Sequence, residues 1–302
     1  MPNHTELKTI RDFIRYATSR FNETGLYYGH GTDNAWDEAI SLVLHTLYLP
    51  HTINPTVLDA HLIQSEQKNL LNLIEQRVTQ RMPVPYLTHE AWFSNLSIYV
   101  DERVLIPRSP IAELIESRFE PWVLADEVHH ILDLCTGSGC IAIACAKAFP
   151  EAEVDASDIS SDALAVAKIN LLRHSVENQV HLYESDLFKA IPKKKYDIIV
   201  SNPPYVSTDE MTMLPPEYLH EPKLGLLGGS EGLDFAVRIL REASEYLNPN
   251  GILVVEVGNS EAALIEHFAD VPFVWPEFER GGGGVFILTA EQLKAHQAEF
   301  AS

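Results

Sequence analysis

The chain has 302 residues, 46% of them hydrophobic and 22% charged, a composition typical of a globular protein with room for two cores. The chain has 43 Asp and Glu against 22 Lys and Arg, which gives a formal net charge of −21. This charge argues against sequence-independent binding to nucleic-acid phosphates. It favours either a basic protein partner or a role in solubility alone. Because no segment has the length and apolarity of a membrane span and the first residues do not resemble a secretory signal, we expect a cytoplasmic protein that binds neither DNA nor membrane.

The first 82 residues are predicted to form a helical domain. Apolar side chains recur at three- and four-residue spacing in residues 7–17, 39–49 and 58–78, which is the pattern of helices with one buried face. Asn54-Pro55 has the residue types of an N-cap and a first turn, so it predicts the start of the third helix.

Residues 83–108 are predicted to be a linker and a β-hairpin. The sequence Met82-Pro83-Val84-Pro85 ends the helical pattern. Strand-like residues then occur at 92–100 and 103–107, on either side of Asp101-Glu102.

The remaining residues, 109–302, alternate between strand and helix patterns. Predicted helices begin after Gly139, Ser161, Leu233 and Ser260, and predicted strands occupy residues 131–134, 153–156, 180–183, 196–200 and 252–257. This alternation predicts the α/β class, a doubly wound and mostly parallel Rossmann-like sheet. Residues 273–275 and 284–288 suggest a closing antiparallel pair.

A glycine-rich turn follows the first strand of this region. Residues 131–142 (ILDLCTGSGCIA) read as a strand, a turn and a helix start, whose small side chains let a ligand approach backbone N–H groups. Asp158 ends the next strand, where a carboxylate can accept hydrogen bonds from two ribose hydroxyls. Gly137, Gly139 and Ala142, with an acid roughly twenty residues later, also fit the dinucleotide fingerprint, so the turn alone does not separate NAD from S-adenosylmethionine.

The ends of the third and fourth strands distinguish these cofactors. Asp186 follows the third strand, where it can accept from an adenine amino group, while Leu187 packs the ring and Phe188 is either a further ring contact or a core residue. The fourth strand ends in Asn202-Pro203-Pro204-Tyr205, for which a hydride-transfer enzyme has no need.

The Asn-Pro-Pro-Tyr sequence suits the methylation of a planar –NH2 group. The oxygens of the Asn202 side chain and the Pro203 carbonyl can accept both of its hydrogens without adding positive charge. An amide nitrogen is a poor nucleophile because its lone pair is delocalised, so holding it in line with an electrophilic methyl group supplies rate that basicity cannot. With Tyr205 as an aromatic wall, the sequence predicts a methyltransferase whose catalytic residues are Asn202, Pro203 and Tyr205.

With these motifs the chain resembles the class I S-adenosylmethionine-dependent methyltransferases with an NPPY motif, and among them the N(5)-glutamine methyltransferases, over essentially its whole length. Members that modify peptide chain release factors continue from Pro-Arg with Pro-Asp/Glu-Thr-Glu, whereas Pro107-Arg108-Ser109-Pro110 is similar to the branch that acts on ribosomal protein uL3. Tyr86-Leu87-Thr88-His89-Glu90 is similar to that branch too, and His220-Glu221-Pro222 resembles the Glu-Pro segment of the family.

The resemblance implies S-adenosyl-L-methionine as cofactor, a glutamine of the basic protein uL3 as substrate, and residues 1–82 as the substrate-recognition domain. The implied cofactor-binding residues are Cys135, Thr136, Gly137, Ser138, Gly139, Asp158, Asp186, Leu187 and Asn202. In the implied reaction Asn202 and the Pro203 carbonyl hold the glutamine amide and no general base is needed, since the proton acidified by methylation can leave to water. Arg108 either positions the loop or substrate or forms a surface salt bridge.

Three alternatives remain open at this stage. Methylation of release factors is the nearest, followed by methylation of an adenine amino group in nucleic acid, which uses the same clamp. A ribosome-assembly factor that keeps S-adenosylmethionine only as a structural ligand is the third. The oligomeric state does not follow from the sequence.

The cysteine and histidine patterns predict neither a disulfide framework nor a metal site. Cys135, Cys140 and Cys145 are spaced by five, which favours reduced and packed thiols. The histidines, from His4 to His296, are scattered rather than grouped with cysteines.

Overall fold

The computed structural model describes residues 6–301; His4 lies outside them. The chain divides into two compact units. One runs through Ala91 and also includes Pro215–His220, and the other contains Trp92–Leu214 and the chain from Glu221 onward.

The first unit is helical. Its longer helices are α1 (Ile10–Glu23), α2 (Ala35–Thr46) and α3 (Gln64–Gln80), followed by the short α4 (Val84–Thr88). The apolar spacing of α1 explains its packing, because the side chains three and four residues apart from Ile10 to Phe21 are buried in one cluster. Thr9 caps the helix by accepting from the Asp12 N–H, while the Asp12 carboxylate accepts from the Thr9 N–H.

Asn54 does not begin the third α-helix, contrary to the sequence prediction. Its side chain accepts from the Thr56 N–H at 3.0 Å and caps the 3₁₀ helix Pro55–Asp59. The α-helix begins only at Gln64, where the Glu66 carboxylate accepts from the Ile63 N–H at 2.9 Å. The capping chemistry of Asn-Pro is therefore present, but it begins a different kind of helix.

A fully buried arginine joins distant segments of this unit. Arg77 donates from Nε to Glu38 at 2.9 Å and from a terminal nitrogen to the Tyr27 carbonyl at 2.9 Å. Its other terminal nitrogen lies 3.4 Å from Oε1 of Glu217, which is contributed by the Pro216–His220 3₁₀ helix. Glu217 also accepts from Arg81 and from the Tyr27 N–H, so two buried carboxylates share cationic and backbone donors.

The predicted hairpin lies closer to the N-terminus than expected. It consists of β1 (Ala91–Phe93) and β2 (Leu96–Ile98) around Ser94-Asn95, both with positive φ. Residues 103–107 form no strand. The backbone there is instead tied by side chains, since Asp101 accepts from the N–H and the guanidinium of Arg103.

The second unit contains a six-stranded sheet in the order β5-β4-β3-β6-β7-β8. Its strands are β3 (His130–Leu134), β4 (Glu153–Asp158), β5 (Val180–Glu184), β6 (Tyr196–Ser201), β7 (Leu247–Glu256) and β8 (Val285–Thr289). All neighbouring pairs are parallel except β7 and β8. The predicted α/β class is therefore confirmed, and the continuous apolar runs of the central strands are those of a sheet buried on both faces.

Helices alternate with these strands along the chain. They are α5 (Ile111–Glu116), α6 (Cys140–Ala148), α7 (Ser161–His174), α8 (Thr208–Met211), α9 (Asp234–Glu242), α10 (Glu261–His267), α11 (Ala290–Ala295) and α12 (Gln297–Phe300). Within residues 6–301 no helix combines the length and apolarity needed to cross a bilayer.

The predicted last antiparallel pair is present only in part. β8 pairs with β7 over five residues, whereas residue 274 makes only an isolated bridge to Ile287. The ten-residue β7 offers a long edge. β8 therefore extends the main sheet, and its predicted antiparallel pairing with residues 273–275 is confined to the single bridge at Val274.

Candidate functional site

The carboxyl ends of the parallel strands β3, β4, β5 and β6 meet at one edge of the sheet and border a cleft. The cleft holds about 970 Å³ of space between protein atoms, part of it open to solvent. The predicted site residues that line it are Cys135, Thr136, Gly137, Ser138, Asp158, Asp186, Leu187 and Asn202. Gly139, Pro203 and Tyr205 do not line it.

The glycine turn after β3 is held in place by a buried carboxyl group that the sequence analysis did not identify. Asp133 is fully buried, accepts from the Thr136 hydroxyl at 2.5 Å and from the Ala142 N–H at 3.1 Å, and burial raises its pKa to about 7. Gly139 has φ +80°, and a Cβ there would lie 3.2 Å from the Cβ of Ala167. The signal for Asp133 was present, since an acid inside Ile131-Leu132-Asp133-Leu134 needs hydrogen-bond partners.

Asp158 connects the ends of β3 and β4. Its carboxylate accepts from the Gly137 N–H and from the Ser160 N–H, each at 2.9 Å. Burial raises its pKa although these backbone donors oppose the shift. Each carboxylate oxygen has a second lone pair, so Asp158 can hold the turn and accept from a ligand in the cleft at the same time.

Asp186 follows β5 and is charge-paired. Its oxygens lie 2.7 Å from Lys189 and 2.7 Å from Arg238. Hydrogen bonds from Lys189 and then Arg238 lower its pKa, so it stays ionised. Because the carboxylate is ionised and each oxygen has further lone pairs, it can still accept from a ligand.

The aromatic residue of this part of the cleft is not Phe188. Phe188 is buried in the core, with the centre of its ring 4.6 Å from that of Tyr246. Of the two roles predicted for Phe188, the structure therefore supports that of a core residue. Phe235 lines the cleft instead, close to the start of α9. A helix residue that lies far along the chain from the strand ends carries no local signal that would have identified it.

The Asn-Pro-Pro-Tyr sequence begins directly after β6. The side-chain oxygen of Asn202 is buried and has no hydrogen-bond partner among the described residues, although the residue lines the cleft. Buried polar atoms are normally paired, and an unpaired one beside a cleft is where a ligand donor would be satisfied. Pro203 is buried, Pro204 lines the cleft, and Tyr205 lines a neighbouring groove.

Arg108 forms a half-buried ion pair rather than a surface one. Its terminal nitrogens lie 2.6 and 2.8 Å from the two carboxylate oxygens of Glu221, whose side chain is fully buried. Glu221 also accepts from the Ile106 N–H at 3.0 Å. The pair therefore fixes the irregular segment 103–109, part of which lines the cleft.

The three cysteines are unpaired thiols. Burial raises the pKa of each, that of Cys140 to about 12, so they remain protonated near neutral pH. Across residues 6–301 there is no cluster of three or more His, Cys, Asp or Glu side chains able to hold a metal.

Comparisons with known proteins bear on the fold and the family of the chain. Residues 119–217 match the family model "Methyltransferase small domain". The catalytic domain of hMettl16, in complex with MAT2A 3′UTR hairpin 6, has a TM-score of 0.50 at 16% identity, covering 78% of this chain and 85% of that chain, which shows a shared fold.

Two curated relatives match almost the whole chain. The ribosomal protein uL3 glutamine methyltransferase of Xanthomonas campestris pv. campestris is 52% identical over 97% of this chain and 95% of its own length. The protein of the same name from Neisseria meningitidis serogroup A is 50% identical over 95% of each chain. The chain therefore belongs to the family of ribosomal protein uL3 glutamine methyltransferases.

Proposed function

We propose that this protein transfers a methyl group from S-adenosyl-L-methionine to the side-chain amide nitrogen of a glutamine in ribosomal protein uL3. The observation that carries the proposal is the buried, unpaired Asn202 oxygen in the cleft, in a chain of this family. A glutamine amide offers the N–H donor that this acceptor lacks.

The cleft suits S-adenosylmethionine, which supplies an electrophilic methyl group on a sulfonium. Its walls combine the small residues of the glycine turn with apolar side chains such as Ile159, Leu187 and Phe235. In the proposal Cys135, Thr136, Gly137, Ser138 and Gly139 hold the methionine end. Asp158 accepts from the ribose hydroxyls, and Asp186 and Leu187 flank the adenine.

In the proposal, the residues of the chain contribute to the reaction by orienting the substrate amide. Asn202 and the Pro203 carbonyl accept the two amide hydrogens, so the nitrogen lone pair is directed toward the methyl group. Asn202 is neutral, which avoids a charge that would bind the sulfonium ground state more tightly than the transition state. Once methylated, the nitrogen is acidic enough to release its proton to water, and Tyr205 packs against the glutamine side chain.

The proposed substrate is a basic protein, consistent with the formal charge of −21. Opposite charges would speed encounter, and the attraction would weaken as the Debye length falls to about 8 Å at physiological salt. We propose that residues 1–82 and the hairpin segment supply most of the protein recognition and that the enzyme acts in the cytoplasm.

The test of the substrate compares three acceptors side by side. The full-length protein and labelled S-adenosylmethionine are incubated with purified uL3, with a release factor, and with an adenine-containing oligonucleotide, and methylation is located by mass spectrometry. We expect the label on one glutamine of uL3. Label on the release factor alone, or on adenine, would overturn the substrate assignment.

The test of the site uses Asn202 variants. Asn202→Ala should lower turnover by about a hundredfold or more while S-adenosylmethionine affinity stays within a few fold, because the positioned partner of the reacting group is lost. Asn202→Asp is nearly isosteric but adds a charge beside the sulfonium, so turnover should fall as well. Asn248→Ala is the matched control, since Asn248 donates to Asp197 and does not line the cleft. Near-normal single-turnover rates in both Asn202 variants would exclude the clamp.

A further inference from the structure

Glu256 is a buried carboxyl group next to the Asn-Pro-Pro-Tyr loop. It is the last residue of β7 and is 4% exposed. Its two oxygens accept from two hydroxyl groups, Oε1 from Tyr205 at 3.0 Å and Oε2 from Ser109 at 2.5 Å. Burial raises its pKa to about 7, although the two hydroxyl donors and the charge of Arg108 oppose the shift. Burying an acid whose partners are mainly hydroxyls costs folding free energy, so such a residue is a candidate for a functional role.

The directions of these hydrogen bonds follow from the neighbouring backbone. The Ser109 oxygen already accepts from the Ile111 N–H at 3.2 Å, so its own hydrogen is available for Glu256. The Tyr205 hydroxyl is a donor toward the other oxygen. Two donors on two oxygens match an ionised carboxylate. An amide or a hydroxyl at this position has only one acceptor oxygen, so it could not offer a separate oxygen to each donor.

The Tyr205 ring also lies close to the backbone of Gly258. Gly258 has φ +48°, and a Cβ there would lie 2.5 Å from Cε2 of the Tyr205 ring. This close approach leaves the ring little room to move on that side, while the bond to Glu256 holds its hydroxyl.

Glu256 thereby joins the two segments that border the proposed amide site. Ser109 follows Arg108 on the irregular segment that lines the cleft, and Tyr205 ends the Asn-Pro-Pro-Tyr loop. Glu256 and Tyr205 both line the open groove beside the cleft. A change at Glu256 would therefore loosen both borders at once without touching the residues proposed to hold the cofactor.

We propose that Glu256 is a positioning residue for methyl transfer, which acts by fixing Tyr205 beside the substrate glutamine while the Ser109 hydroxyl holds its other carboxylate oxygen. The inference rests on the proposed function, because Tyr205 is taken as the wall against which the glutamine packs. Glu256 itself need not touch the substrate, and its effect passes through the Tyr205 hydroxyl.

The test is a double-mutant cycle on turnover. Glu256→Gln and Tyr205→Phe should each lower kcat for uL3 by about tenfold or more, with S-adenosylmethionine affinity within about threefold of wild type. If Glu256 acts through Tyr205, the double variant should be no more than about threefold slower than the slower single variant. Multiplied losses, or a wild-type kcat in Glu256→Gln, would overturn the proposal.

A matched control comes from the same sheet. Tyr196 donates to the buried Asp155 at 2.6 Å and lies outside the cleft, so Tyr196→Phe removes a bond of the same kind with no proposed role in the reaction. Its kcat should remain within about threefold of wild type. An equal loss of kcat in this control would mean that any broken Tyr–carboxylate bond slows the enzyme, which would also overturn the proposal.

A spectroscopic measurement separates this proposal from the proposed function. In protein carrying ¹³Cζ-tyrosine, the Tyr205 signal is assigned by its loss in Tyr205→Phe, and it should move in both Glu256→Gln and Ser109→Ala. An unmoved signal in folded variants would contradict the positioning role whichever substrate is used. A moved signal together with failure to methylate uL3 in wild type would reject the substrate and retain the arrangement around Tyr205.

Discussion

Glu217 in the helical unit and Glu256 in the α/β unit are both buried, yet their surroundings have opposite effects on the carboxyl group. Burial raises the pKa of Glu217, but the Tyr27 N–H and the guanidinium groups of Arg81 and Arg77 outweigh it, and the pKa is lowered. Glu256 has mainly hydroxyl donors, and burial raises its pKa to about 7. Glu217 accepts hydrogen bonds from two guanidinium groups as well as a backbone N–H, whereas Glu256 accepts from two hydroxyls and is influenced by the charge of Arg108.

The difference separates two uses of a buried charge. The ion cluster of Arg77, Glu38 and Glu217 joins a helix, a neighbouring helix and a distant 3₁₀ segment, so its contribution is to the packing of the helical unit. The carboxyl group of Glu256 accepts from Tyr205 and Ser109, and in our proposal it orients Tyr205 toward the substrate. Measurements of the free energy of unfolding should therefore distinguish the two regions by the size of the loss on mutation and by its dependence on pH.

The largest expected effect is that of Arg77→Met. Removing the guanidinium leaves Glu38 and Glu217 buried without their shared cation, which typically costs about 3–5 kcal/mol. Urea unfolding followed by circular dichroism would measure it. A loss below about 1 kcal/mol would mean that the cluster is not the main charge compensation in this unit.

The next effect is a pH dependence from Glu256. Its pKa rises from 4.5 to about 7 on folding, so its stabilising contribution is complete below pH 4.5 and is lost as the pH rises through 7. Glu256→Gln does not titrate, so wild type should lose stability relative to the variant between pH 5 and 8, by at most about 3 kcal/mol. The charged and hydroxyl groups that influence it are Arg108, Ser109 and Tyr205, and all three are retained in the variant.

Thermal unfolding across this pH range measures the difference. Parallel curves for wild type and Glu256→Gln would contradict the raised pKa. A difference of opposite sign, with wild type gaining stability toward pH 8, would place Glu256 in the same class as Glu217.

A smaller effect is expected for Ser109→Ala. It removes one of the two hydroxyl donors to Glu256, and a hydrogen bond to a charged group contributes roughly 1.5–3 kcal/mol above pH 7, where the carboxyl group is ionised. The loss should shrink below pH 6, because a protonated carboxyl group needs fewer donors. A loss independent of pH would assign the effect to packing.

The smallest effect is that of Arg11→Met, which provides the exposed reference for the buried cluster. Arg11 pairs with Asp59 at 2.8 Å, but both side chains are more than half exposed. Such pairs contribute about 0–1 kcal/mol. A loss as large as that of Arg77→Met in the same urea titration would remove burial as the explanation of the difference.

The sequence predicted the features that depend on order along the chain. The ends of β3 to β6 follow from apolar runs, and their residues converge because parallel strands place their carboxyl ends at one edge. The glycine turn, Asp158 and Asn202 could thus be assigned to one cleft from the order of the strands alone. Their individual roles toward a ligand stay proposals.

Features that depend on partners far along the chain were not predictable. The Arg238 pair with Asp186 spans 52 residues, and the Ser109 bond to Glu256 spans 147. Phe235 belongs to an ordinary helix pattern whose local sequence does not indicate a site. Glu256, like Asp133, is an acid within an apolar strand, which predicts hydrogen-bond partners but does not identify them. The displaced hairpin has a local cause, since Ser94-Asn95 adopts positive φ and turns the chain before the predicted position.

The contribution of Pro215–His220 to the helical unit bears on biosynthesis. The ribosome completes α1, α2 and α3 early, and Glu38 is then available to Arg77, but Glu217 is synthesised 140 residues after Arg77. The nascent helical unit therefore lacks the Glu217 carboxylate as a partner for Arg77 while most of the sheet is being made. For the same reason, a shortened protein that starts at Trp92 would keep Glu217 while losing Tyr27, Arg77 and Arg81, its three donors.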